Sequence, residues 1–144
     1  MENGKGPIIV IAVTILLAVG IFLLFDNSGM SVTDINLEQD DSICNLTYYV
    51  RLGRNFNELN CECIFYDQNG NVITNDSSIL KDVYPGTHTI SSQINLTEYG
   101  NNTDSTSLKI GSIEIRIYDN YLNSKEGQSN KQKPVYIKTF NVTK

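Results

Sequence analysis

The chain has 144 residues, with 16 acidic side chains against 11 basic ones, a net charge of −5, one histidine and three cysteines. That is room for one domain of ordinary size beside a short leader and anchor. The acid excess and the lack of a basic stripe argue against nucleic acid and anionic lipid head groups as partners.

Residues 1–6 (MENGKG) read as a short cytoplasmic leader. Ile8 to Phe25 (IIVIAVTILLAVGIFLLF) carries no charge, and Thr14 is its one polar side chain. Eighteen residues at a rise of ~1.5 Å make ~27 Å of helix, close to the ~30 Å hydrocarbon core of a bilayer. Fourteen of them are Ile, Leu, Val or Phe. At roughly −0.3 to −0.6 kcal/mol each, they favour insertion by about 4 to 8 kcal/mol. The spacing predicts a transmembrane helix over residues 7–25, with Pro7 in its first turn and the lipid bilayer as its partner through Ile8 to Phe25. Lys5 and the amino terminus precede the run and Asp26 follows it, which sets the N-terminus inside and the remainder outside.

A cleaved signal peptide has a shorter apolar core with a small-x-small site after it. Here Ala18-Val19-Gly20 is followed by five more apolar residues. Lys5-Gly6 before the apolar run is similar to the leader of archaeal pilin-type proteins, but Pro7 occupies the position after the cut and the early glutamate of that family is missing.

Residues 26–30 read as a linker and residues 31–144 as one exported domain. Ser31 to Leu37 predicts a strand and Glu38 to Ser42 a charged turn. In Ile43 to Leu52 and in Glu58 to Tyr66 apolar and polar residues alternate, the mark of half-buried strands in an antiparallel sheet. Gly53-Arg54-Asn55 between them reads as a hairpin loop. Asp67, Asn69 and Gly70 form a second turn signal, since Asn and Gly tolerate positive φ. A calcium loop there would need a bidentate Glu at a spacing the sequence does not have. Val72-Ile73 and Ile79 to Val83 predict short strands on either side of a turn at Asn75 to Ser78. Tyr84-Pro85-Gly86 turns the chain into a strand over Thr87 to Leu96. After a polar loop at Tyr99 to Ser107, Ser107 to Tyr118 predicts a long strand with a bulge at Gly111. Asn120 to Pro134 is the longest loop, and Val135 to Val142 is the closing strand. Seven or eight short strands without an amphipathic helix predict an all-β fold, an immunoglobulin-like antiparallel β-sandwich, with a barrel as the structural alternative.

Cys44, Cys61 and Cys63 fall on apolar faces of successive strands. They read as small buried hydrophobes, with a disulfide from Cys44 to Cys61 or Cys63 as the alternative in an exported protein. A three-thiolate metal site lacks a visible fourth ligand. His88 stands in a turn with no nucleophile motif beside it, and no phosphate-cradling glycine loop occurs. No catalytic residue, metal or cofactor is therefore assigned. Asn-x-Ser/Thr triplets occur at Asn45, Asn75, Asn95, Asn101 and Asn141, and Asn75 and Asn101, in polar loops, are the best glycan candidates.

The run Cys63-Ile64-Phe65-Tyr66-Asp67, then Asn69-Gly70 and Val72, then Val83-Tyr84-Pro85-Gly86, resembles the FxLYD family. Those are small immunoglobulin-like domains of prokaryotic envelope proteins, often tethered by one N-terminal helix. Cys63 stands for the first aromatic and Phe65 for the leucine, while Tyr66 and Asp67 match. The resemblance covers Ile43 to Asp119 and implies an extracytoplasmic sandwich with Asp67, Pro85 and Gly86 as turn formers. It carries over no catalytic residue. The expected function is a membrane-anchored, extracytoplasmic, non-catalytic binding or structural module, meeting an envelope protein or glycan through the loops at Tyr99 to Ser107 and Asn120 to Pro134. A pilin-like filament subunit with a cleaved leader and an accessory subunit of a membrane complex are the alternatives.

Overall fold

A computed structural model of the protein describes residues 29–40, 42–99, 108–120 and 133–142. The predicted transmembrane helix, most of the linker, Asn101 and the greater part of both long loops lie outside the described residues. Among the described residues no helix is long and apolar enough to cross a membrane.

Seven antiparallel strands form two sheets. β1 (Met30–Asp40), β2 (Ile43–Leu52) and β5 (Gly86–Asn95) make a three-stranded sheet in the order β1-β2-β5. β4 (Val72–Val83), β3 (Phe56–Asp67), β6 (Ile110–Asp119) and β7 (Tyr136–Asn141) make a four-stranded sheet in that order. The alternating apolar faces of β2, β3 and β6 close on one another between the sheets. Leu46, Tyr48 and Val50 lie on one side; Leu59, Phe65, Ile113, Ile115 and Ile117 lie on the other, all buried.

The structure changes several expected boundaries. Gly53 to Asn55 is a crossover and not a hairpin, because β2 pairs with β1 and β5 while β3 pairs with β4 and β6. Each of these strands has a strongly apolar face, and setting them in facing sheets buries both. Met30 belongs to β1 and not to the linker. It pairs with Leu52, and its side chain is 0% exposed in the core. The charged turn shortens as well, since β1 continues to Asp40, opposite Ile43.

The predicted turn at Asn75 to Ser78 does not form. β4 runs unbroken from Val72 to Val83, with Asn75 paired to Ile64 and Ser78 to Cys61. An edge strand is bound to the sheet on one side only and can be polar on both faces, so hydrophobic alternation gives no sign of it. Asn75 is therefore a strand residue and does not stand in a polar loop.

At Gly111 the register slips by one residue, with Tyr66 opposite Ser112 and Asp67 opposite Ile110. The bulge falls on the glycine because a Cβ there would lie 2.5 Å from the Asp67 carbonyl oxygen. A second bulge lies between Thr33 and Asn36 in β1, where Asp34 has φ 50°, a left-handed conformation that aspartate tolerates better than most residues.

Candidate functional site

The sequence-predicted residues that are described each have a definite place. Asp67 organises the β3–β4 turn. Its Oδ1 accepts the backbone N–H groups of Asn69 and Asn71, both at 2.8 Å, and its Oδ2 accepts the Asn71 carboxamide at 3.1 Å. The Asn71 backbone N–H, followed by the Asn71 side chain, holds the Asp67 carboxyl below the usual carboxylate range. Gly70 closes the turn at φ 82°. Pro85 and Gly86, the latter at φ 138°, carry the chain from β4 in one sheet to β5 in the other. His88 Nε2 lies 2.8 Å from the Tyr84 carbonyl oxygen, across that crossover. These groups shape backbone and leave no convergent reactive pair.

The cysteines divide between the sheets. Cys44 is on β2, with Cys61 and Cys63 on β3; all three are buried, and none is joined to another. Cys63 Sγ donates to Tyr48 Oη at 3.3 Å across the sandwich. Burial pushes the thiols up to about 11 for Cys44 and Cys63 and about 12 for Cys61, and pushes the Tyr48 phenol well above its ordinary value. Such thiols are poor nucleophiles. Among the described residues no three His, Cys, Asp or Glu side chains are placed to hold a metal ion.

The outer face of the four-stranded sheet carries Glu58 and Glu62 on β3 and Glu114 on β6, and each is met from within the sheet. Glu62 accepts from Asn75 and from the Tyr118 hydroxyl, both at 3.1 Å. Glu114 pairs with Arg116 through Nε at 2.6 Å and Nη2 at 2.5 Å, and accepts from Thr139 at 3.4 Å. Asn120 donates to Glu58 at 2.6 Å, with Lys81 at 4.0 Å. Internal pairing on this scale makes the face a laced surface, not a row of carboxylates awaiting a ligand.

Sequence reasoning also missed a carboxylate contact between the sheets. On β4, Asp76 points inward and accepts from Ser92 Oγ on β5 at 2.5 Å. Neither residue carries a motif, and only the strand order brings them together. Topology also separates the two candidate loops. β5 ends and β6 begins at one end of the sandwich, where β1 also ends and β3 turns into β4, while β6 ends and β7 begins at the opposite end, where Gly29 enters β1.

No family model matches the chain, and no curated protein does. Among solved structures, the C-terminal domain of Wzt is similar over 81% of this chain and 74% of that one, at 9% identity and a TM-score of 0.52. β-Glucosidase 3B from Thermotoga neapolitana, in complex with α-D-glucose, is similar over 80% of this chain at 13% identity and a TM-score of 0.43, and the chain spans 16% of that protein's length. A calcium-binding mutant of Bacteroides uniformis β-glucuronidase 2 is similar over 78% of the chain, which spans 13% of its length, at 9% identity and a TM-score of 0.45. What the Wzt domain shares with this chain is the fold, an all-β sandwich of two antiparallel sheets.

Proposed function

We propose that the protein is a single-pass membrane protein whose immunoglobulin-like sandwich stands outside the cytoplasm and acts by contact, without catalysis. The observation that carries this reading is the uncharged run from Ile8 to Phe25, with three residues between it and Gly29, where the described sandwich starts. The two-sheet fold, the resemblance of Cys63 to Asp67 and Val83 to Gly86 to FxLYD domains, and the structural employment of the titratable groups support it. Its partner is an envelope protein or glycan met through the outward end.

The test is to replace Leu16 and Leu17 together by arginine. Each arginine at a helix centre costs roughly 2.5 to 3.5 kcal/mol, so two cancel most or all of the insertion energy. The parent chain should stay with membranes through alkaline extraction, and its C-terminal domain should be open to protease added outside. The double variant should leave the membrane. Parent protein recovered in the soluble fraction overturns the anchor, and a mature chain starting at Pro7 replaces it with the filament reading.

A further inference from the structure

Overall acidity hides a separation of charge along the sandwich. The strand directions place Gly29, the crossover at residues 53–55, the crossover at Tyr84-Pro85 and the start of β7 at one end. There Gly53 N–H donates to the Gly29 carbonyl at 2.8 Å. A Cβ on Gly29 would lie 3.7 Å from Arg54 Nε, so this guanidinium borders the point where the chain leaves towards Phe25. Arg54 also lies over the Phe56 ring, 4.4 Å from its centroid. Arg51, Lys81 and Lys133 are exposed at the same end, with Tyr84 69% exposed among them. Against these stand exposed Asp82, half-buried Glu58, shared with Lys81, and buried Asp119 at the end of β6. At the other end Glu38, Asp40, Asp67 and Glu98 outnumber Lys109.

The tether is short. Four steps from Phe25 to Gly29 reach at most about 14 Å. If Phe25 ends at the edge of the hydrocarbon, head groups fill the first 5 to 8 Å or so of that distance. The basic end then cannot rise beyond roughly one Debye length, about 8 Å at physiological salt, above the lipid phosphates. Resting on the reading that Ile8 to Phe25 spans the bilayer, we propose that the end carrying Arg51, Arg54, Lys81, Tyr84 and Lys133 lies on an anionic lipid surface. Attraction at that end and repulsion of the acidic end hold the sandwich upright, so that residues 38–40, 42–43, 67–72 and 96–99 face outward.

The chain contains no tryptophan, so Tyr84→Trp and Asn69→Trp each place a single reporter, one at either end. The full chain is reconstituted in phosphatidylcholine vesicles, with and without phosphatidylglycerol, containing a lipid spin-labelled at the head group. Trp at position 84 should be quenched several-fold more than Trp at 69 in the anionic vesicles. The excess should fall in neutral vesicles, at about 1 M salt, where the Debye length is about 3 Å, and on adding Arg51→Glu with Lys133→Glu. Equal quenching at the two positions, in protein that floats with the vesicles, overturns the docking and leaves the anchor standing. Excess quenching that ignores lipid charge and salt overturns the electrostatic basis. Protein that does not float with the vesicles overturns the anchor and the docking together.

Discussion

At Gly111 a Cβ would meet the Asp67 carbonyl oxygen at 2.5 Å and Gln68 Cα at 2.8 Å, both backbone atoms that cannot swing aside. At Gly70 the surrounding space is open, but φ is 82°. Gly111→Ala is therefore expected to lower stability by about 1 to 3 kcal/mol through overpacking, and Gly70→Ala by about 1 to 2 kcal/mol through backbone strain alone. Denaturant unfolding of both variants checks this. Gly70→Asn, which suits left-handed φ, should recover part of the loss, whereas Gly111→Asn should be worse than Gly111→Ala. The thiols make a second residue-scale prediction. With Cys44 and Cys63 raised to about 11 and Cys61 to about 12, fewer than about one in a thousand is thiolate at pH 8, and alkylation should wait for unfolding. Below their ordinary value of 9.0 both folded and unfolded chains keep these protons, so the thiols add no pH dependence. Above it the unfolded chain ionises first, and stability should fall by roughly 1.4 kcal/mol per pH unit for each thiol until the folded value is reached. Cys44→Ala should flatten that alkaline slope; an unchanged slope would count against the assignment.

The exposed strand β4 illustrates how an edge is kept single. Asp76 points into the sandwich from this edge and is held by Ser92 across the gap, an inward carboxylate that makes pairing with a second chain costly. Asp76→Val should increase self-association of the full chain in detergent, read by sedimentation velocity at rising concentration. It should also cost about 1 to 3 kcal/mol of stability through the partly buried Ser92 hydroxyl. Strands β2, β3 and β6 were legible in the sequence because their apolar residues alternate over nine or more positions. The middle of β4 was not, since Thr74, Asn75, Asp76, Ser77 and Ser78 look like a turn until β3 supplies their partners. Pairing was less legible still. Alternation says that a face is buried but not against what, so Gly53 to Asn55 read as a hairpin when both flanking strands needed to face each other.

For the whole molecule, the expected membrane span is a property of one contiguous segment, whereas the separation of charge is a property of strand direction and has no local signature. Lys81 and Arg54 are 27 positions apart and share an end only because β3 and β4 run antiparallel between them.

The path of the chain has a mechanical consequence. β1 starts at the end where Gly29 enters, and its hydrogen-bonded register against β2 runs from Met30–Leu52 to Asp40–Ile43. Near its start the Val32 N–H donates to the Tyr136 hydroxyl oxygen at 3.2 Å. A load held at Gly29 and applied at the opposite end runs along these strands and not across them. The β1–β2 bonds are then strained side by side and must fail together, whereas a pull across the sheet would open them one at a time. A sandwich built this way resists tension along the line that joins its two ends.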